Sequence, residues 1–169
     1  MIHKVKGDCT NPIKASNANN IICHCVNDLG IFGSGVVMAI DQKWKGPMKN
    51  YKNWHREGSY NWKNRSIPFK QGQCQLIKVD VNLYVANLIA QSGVGYFHNL
   101  PAVRYGALEE SLLRLKYECL PKLEHKETIL HLPEICCGRA GGDWDTVESI
   151  LNRVFDLDMY LYEYDGVHK

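Results

Sequence analysis

"HCVNDLGIFGSG", residues His24 to Gly35, decides how the chain reads. It leaves the apolar β-rich run "NIICHCV", passes the spaced glycines Gly30, Gly33 and Gly35, and enters the apolar helical stretch "VVMAI". A strand, a glycine loop and a helix in that order suit an open α/β sheet, whose ligands bind in the loops beyond the carboxyl ends of the strands. Glycine is needed where successive N–H groups must turn toward one point without a Cβ in the way. A helix start adds more free N–H groups and the positive end of a dipole. A second loop has the same design: in "CCGRAGGDW", Gly138, Gly141 and Gly142 lead into a helical stretch with Val147 and Ile150. Either loop alone reads as an ordinary turn, but two together can grip two phosphates.

Working outward, the β-rich runs "MIHKV", "NIICHCV", "CQLIKVDV", "LYVANLIA", "TILHL" and "MYLYEY" alternate with segments of helical period. Val103 to Cys119 carries Val103, Ala107, Leu108, Leu112, Leu115 and Cys119 on one face. Val147, Ile150, Leu151, Val154 and Phe155 form another apolar stripe. This pattern predicts an α/β fold with helices on both faces of one mixed or mostly parallel sheet. A length of 169 residues with 45% hydrophobic residues fits a single domain, 1–169.

Charge and cysteine usage narrow the function classes. A net charge of +2 is too small to make nucleic acid the default partner. The longest apolar runs, such as Gly35 to Ile40, fall far short of a membrane span, and the first residues lack the blocks of a signal peptide. A soluble, cytoplasmic protein without a membrane partner is expected. The odd number of cysteines, 7, set beside apolar stretches, reads as buried reduced thiols rather than a disulfide framework. A zinc site from Cys23, His24, Cys25, Cys136 and Cys137 is conceivable, but strand alternation sends His24 to the face opposite the two flanking cysteines. No metal is expected.

Lys43 to Lys70 stands apart, with Glu57 as its one acid and Trp44, Tyr51, Trp54, Tyr60, Trp62 and Phe69 interleaved among basic residues. That composition can bind single-stranded nucleic acid through phosphates and stacked bases. The favoured reading is a surface helix and loop whose aromatics pack on the core while the lysines are solvated. Two phosphatase motifs also need testing. The cysteine phosphatase loop requires Arg six residues after the nucleophile, where this chain has Gly142 and Asp143. "DWDTV" fits the pattern of aspartate-nucleophile phosphatases, yet it stands near the end of the chain rather than after a first strand. A capping box, with Asp145 as N-cap and Glu148 three residues on, accounts for it better.

Taken in order, "VKGDCTNP", "HCVNDLGIFGSGVVMAI", "LYVANLIAQSGVG", "PAVRYGALEESL" and "LPEICCGRAGGDWDTVESIL" resemble the macro domain family over nearly the whole chain. The likeness runs to small single-domain members of phages and microbes described as ADP-ribose-1''-phosphate phosphatases. The chain is also similar to the glutamate-directed ADP-ribose glycohydrolases. The resemblance implies a three-layer αβα fold with a central mixed sheet and a cleft for ADP-ribose. It implies hydrolysis of ADP-ribose-1''-phosphate to ADP-ribose and phosphate, without metal or cofactor, by a monomer. Alternatives are a reader that only binds ADP-ribose, or a hydrolase removing ADP-ribose from protein or nucleic acid.

Carried over by position, Gly7, Asp8 and Cys9 fall where an acidic residue accepts from the adenine amine, and a carboxylate suits a group that only donates. Asn27 falls at the distal ribose. Gly33, Ser34, Gly35 and Val36 fall on one phosphate-facing loop, and Cys137, Gly138, Arg139, Ala140, Gly141 and Gly142 on the other, where backbone N–H groups matter most. Gln91 stands where the glutamate-directed glycohydrolases carry a lysine, and Ala140 stands where they carry an aspartate, so their lysine chemistry is not expected. His24 stands where the phosphatases carry a histidine, an imidazole suited to act as base for a water or acid for the leaving oxygen. With Asn27 and with Asp143, a nearby carboxylate, it completes the catalytic set.

Overall fold

The computed structural model describes residues 1–33, 35–97 and 99–163. In chain order the elements are β1 (Ile2–Lys6), β2 (Asn19–Asn27), α1 (Val36–Lys43), α2 (Gly46–Glu57), β3 (Ser59–Trp62), β4 (Arg65–Pro68) and β5 (Cys74–Asp80). They continue with β6 (Leu83–Phe97), β7 (Leu100–Val103), α3 (Tyr105–Arg114), β8 (Thr128–Leu132), α4 (Trp144–Val154) and β9 (Met159–Glu163). The main sheet runs β1-β9-β8-β2-β6-β5, with β7 paired to β6. From β1 to β6 all neighbours are parallel, while β5 and β7 lie antiparallel to β6. The carboxyl ends of five strands therefore meet at one edge.

Every residue of β2 is buried, as an interior parallel strand with covered faces must be. Alternation sorts its side chains. Ile21, Cys23 and Cys25 join Leu108 and Leu112 of α3 and Val147, Ile150 and Leu151 of α4. Ile22 packs with Ile40 of α1, and Val26 with Val37, Tyr51 and Trp54 of α1 and α2. Helices on both faces of a mixed sheet make the three αβα layers that the residue pattern predicts.

Three local expectations change. Val103 ends β7 rather than opening a helix, because α3 starts at Tyr105; beyond Arg114 the chain continues as a π turn, Leu115–Cys119. The N-cap of α4 is Asp143, not Asp145: Oδ2 accepts from Thr146 N at 3.1 Å and from Thr146 Oγ1 at 2.8 Å. Asp145 lies in the first turn instead, where a carboxylate still favours the helix dipole. The basic aromatic stretch folds as α2 followed by the β3–β4 hairpin, and its rings face inward: Tyr51 and Trp54 are fully buried. Trp54 Nε1 donates to Ile67 O at 3.0 Å and Tyr60 OH to Cys74 O at 3.0 Å, so the polar tips are satisfied inside the protein.

Candidate functional site

A cavity of about 800 Å³ opens at the carboxyl edge of the sheet, within the range of small-ligand pockets. Gly7, Asp8 and Cys9 after β1 form one end. His24 to Asn27 of β2, with Ile31, Gly33, Gly35 and Val36 beyond it, form the floor and one wall. Gln91, Val94 and Gly95 of β6 stand on that side, and Glu134 to Cys136 with Gly138, Arg139 and Ala140 close the other. Most residues singled out from the sequence thus converge. Cys137, Gly141, Gly142 and Asp143 are not part of the lining, and Ser34 lies outside the described residues.

The first loop is shaped from within. Asn27 is 5% exposed, and its Oδ1 accepts from Leu29 N at 2.9 Å, Ile31 N at 3.3 Å and Tyr51 OH at 2.8 Å; its Nδ2 donates to Ile31 O at 2.7 Å. One Nδ2 hydrogen is all that it has left for a ligand. Tyr51, reaching up from α2, also bonds Asn27 O at 2.6 Å and accepts from Gly30 N at 3.1 Å. Asp28 ties the loop to β6, accepting from Gly93 N at 2.8 Å and Gln71 Nε2 at 3.0 Å. Gly35 then turns the chain at φ 75, ψ −136, a conformation essentially reserved for glycine. No side chain caps α1; in its first turn Met38 N bonds back to Gly35 O at 3.1 Å, while among the described residues the N–H groups of Val36 and Val37, both on the lining, have no backbone partner.

The second loop closes on itself through backbone bonds. Gly142 N donates to Cys136 O at 2.7 Å and Gly141 N to Gly138 O at 3.0 Å, and Val103 N of β7 holds Ala140 O at 3.0 Å. A Cβ on Gly142 would run into the Cys136 carbonyl. Among the described residues, the N–H groups of Gly138, Arg139 and Ala140 have no backbone partner. Among the described residues, the acidic and basic side chains of the lining are Asp8, Glu134 and Arg139, beside the buried His24 and Cys9. With two carboxylates against one guanidinium, any attraction for an anion must come mainly from backbone N–H groups and the α1 dipole. Asp8 Oδ1 is occupied by Thr10 N and Thr10 Oγ1, each at 2.8 Å, which leaves Oδ2 open.

His24 forms part of the floor and is fully buried. Asn87 fixes its tautomer. Gln75 Nε2 donates to Asn50 O at 3.1 Å, so Gln75 Oε1 accepts from Asn87 Nδ2 at 3.1 Å, and Asn87 Oδ1 must accept from His24 Nε2. The proton is therefore on Nε2, and Nδ1 is a bare acceptor with no partner in the protein. Burial pushes the imidazole down to about 4, against a smaller opposing pull from the Asn87 bond. This ring is neutral at pH 7 and its one N–H is committed to Asn87, whereas the sequence leaves open whether it serves as base or acid.

The cysteines also differ from expectation in one pair: Cys25 on β2 and Cys136 in the second loop are joined as a disulfide, their Cα atoms 5.9 Å apart. Their 111-residue separation hides the pairing in the sequence. Cys9, Cys23, Cys74 and Cys119 are free and buried, and Cys137 is free and half-buried. Burial, with the Glu134 and Asp143 carboxylates nearby, pushes the Cys137 thiol up to about 11.

Glu134, Ile31, Val94 and Gly95 belong to the lining but are absent from the sequence-based set. For Glu134 a signal existed, since the loop after "TILHL" begins at Pro133 and not at the glycines. Tyr51 carried none, because its contact with Asn27 depends on how α2 docks.

No family model matches the chain. It is 29% identical over 154 residues to the zebrafish (Danio rerio) chromodomain-helicase-DNA-binding protein 1-like, an alignment covering 90% of this chain and 14% of that much longer protein. It is 21% identical to an ADP-ribose 1''-phosphate phosphatase of Lodderomyces elongisporus, covering 95% and 97% of the two chains. Among solved structures, a protein of unknown function from Bacteroides thetaiotaomicron superposes with TM-score 0.83 at 32% identity, covering 96% and 97%. A macrodomain protein from Streptomyces coelicolor superposes with TM-score 0.75 at 32% identity over 99% of this chain and 100% of its own. At 14% identity the fold extends to Thermosipho africanus DarTG, solved in complex with ADP-ribose, with TM-score 0.65 over 99% of this chain and 42% of that one.

Proposed function

Because the chain belongs to the macrodomain family, we propose that its cleft binds ADP-ribose and that it hydrolyses ADP-ribose-1''-phosphate to ADP-ribose and phosphate. One observation carries the reading: two strand-end loops whose N–H groups at 36–37 and 138–140 have no backbone partner line one cavity, with an open carboxylate oxygen of Asp8 at its end. Adenine fits that end, where its amine donates to Asp8 Oδ2. The diphosphate then spans the start of α1 and the 138–140 backbone, with the Arg139 guanidinium as the one cationic side chain of the lining among the described residues. The distal ribose falls toward Asn27 and Gln91, which are register partners across β2 and β6.

Turnover requires a water to attack the terminal phosphorus while the anomeric oxygen leaves. In this reading, preorganised N–H groups stabilise the charge that builds on the phosphate, at no reorganisation cost during the reaction. His24 Nδ1 is the acceptor offered to the proton of the attacking water, and the leaving anomeric oxygen takes its proton from solvent water, since the His24 N–H is held by Asn87. Asp143, whose Oδ2 is committed to capping α4, contributes the start of that helix and makes no contact with the ligand. Asn27 acts by holding the first loop. Full burial of His24 favours one second reading, a module that binds ADP-ribose, free or attached to a macromolecule, without turnover.

Phosphate release from ADP-ribose-1''-phosphate in EDTA, beside a titration of ADP-ribose in the same buffer, tests both. Turnover that survives EDTA and falls in His24→Ala supports the phosphatase. Saturable binding with no phosphate release leaves the binding module, and absence of both sinks the proposal.

A further inference from the structure

The disulfide joins two parts that the ligand itself must bridge. Cys25 lies two residues before Asn27 at the end of β2, and Cys136 opens the turn that presents Gly138, Arg139 and Ala140. Both cysteines line the cavity, at 9% and 6% exposure, so small thiol reagents have a route to them from the cleft.

Cys136 also sits at φ +62, a left-handed conformation that is uncommon and costly for a residue with a Cβ. Two constraints are visible. Gly142 N bonds the Cys136 carbonyl at 2.7 Å, and the side chain is anchored to β2 through Cys25. The turn that brings Gly138, Arg139 and Ala140 to the cavity wall is thus held partly by a bond that can be broken chemically.

We propose that Cys25 and Cys136 form a reversible thiol–disulfide site whose state sets the affinity of the cleft. Formation removes two electrons and two protons from the thiols; a small-molecule disulfide such as oxidised glutathione accepts them and leaves as two thiols. Reduction by a dithiol reverses it. In the oxidised chain the second loop is preorganised and binds more tightly. In the reduced chain Cys136 leaves the left-handed region, and the ligand must order the loop itself. The coupling is reciprocal, so bound ligand stabilises the disulfide by the same factor that the disulfide improves binding. The choice of ADP-ribose as ligand rests on the function proposed above; the redox site does not.

To test it, the wild-type chain is equilibrated in oxidised and in reduced glutathione. The linkage is mapped by mass spectrometry of peptic fragments, amide exchange is followed over residues 135–140, and ADP-ribose is titrated by calorimetry. The expected result is a linked Cys25–Cys136 peptide in the oxidised chain, with slower exchange and about tenfold tighter ADP-ribose binding than in the reduced chain. Cys25→Ser and, independently, Cys136→Ser make exchange and affinity indifferent to the buffer. Absence of the linked peptide, or equal measurable affinities in the two buffers, overturns the proposal. If neither form takes ADP-ribose, exchange decides: protection that follows the linkage upholds the redox site and removes ADP-ribose as its ligand, and no protection overturns both.

Discussion

Replacing Tyr51 by Phe removes one oxygen that lies outside the cavity lining, and the loop beneath the ligand should register its loss. The phenol donates to Asn27 O or Oδ1 and accepts from Gly30 N. Phe keeps the ring, fully buried against Phe32 and Phe69, so packing is nearly unchanged. What is lost is about two hydrogen bonds, at about 1 kcal/mol each, with a further penalty of about 1 kcal/mol or more if Gly30 N–H finds no water. Asn27 Oδ1 retains Leu29 N and Ile31 N, so the loop loosens without unravelling. A total near 2 kcal/mol corresponds to a melting temperature lower by about 4–8 °C. If half of that cost falls on the binding-competent loop, ADP-ribose affinity weakens about fivefold. Calorimetric titration and thermal melting of Y51F read the two effects. Trp54→Phe serves as control: it loses the Nε1 bond to Ile67 O, which touches no loop residue, and should melt earlier with affinity intact. Equal affinity in Y51F and wild type, with the melt lowered, would refute the idea that the phenol shapes the binding loop.

Three further outcomes follow from the same geometry. His24 and His131 are both pushed down to about 4 by burial from an ordinary 6.5, so the unfolded chain takes up protons that the folded chain refuses. Stability is therefore present above pH 6.5 and drains by about 1.4 kcal/mol per pH unit per histidine as pH falls toward 4; urea midpoints of wild type and His24→Gln at pH 7.5 and 5 should show a shallower slope in the variant, and equal slopes would contradict the assignment. Asp143→Ala removes the α4 cap and should lower stability by about 1 kcal/mol, with ADP-ribose affinity changed less than twofold by titration; a tenfold loss would put Asp143 at the ligand. Gly142→Ala forces a Cβ into the Cys136 carbonyl and should weaken binding at least tenfold while circular dichroism stays native, whereas unaltered binding would mean that the second loop does not need its closed turn.

Legibility in the sequence followed the length scale of the forces involved. β2, β8 and the apolar stripe of α4 were readable because alternation and helical period are written within a few residues. The hairpin β3–β4 was not, since Trp62, Lys63, Asn64 and Arg65 make a tight turn with two residues at positive φ and no glycine to mark it. At the site, the glycine loops announced themselves, and the family likeness put Asp8, Asn27 and Arg139 at one cavity. The state of His24 was illegible, because its tautomer is set by a chain of amides from Asn50 through Gln75 to Asn87, drawn from α2, β5 and β6. Asp143 was displaced from the lining by a competing local use, the cap of α4.

The order of the sheet has a consequence for synthesis on the ribosome. Among the described strands, β1 is the earliest in the sheet and has a single neighbour, β9, the latest. Asp8, just beyond β1, thus stays undocked while β2, β6 and β8 can already assemble around Asn27 and the second loop. Such a pairing is slow because the closure of a long loop precedes any gain from contact. A nascent chain stalled before Met159 would expose the β8 edge and half a cleft, and the end assigned to adenine, encoded first, is completed last.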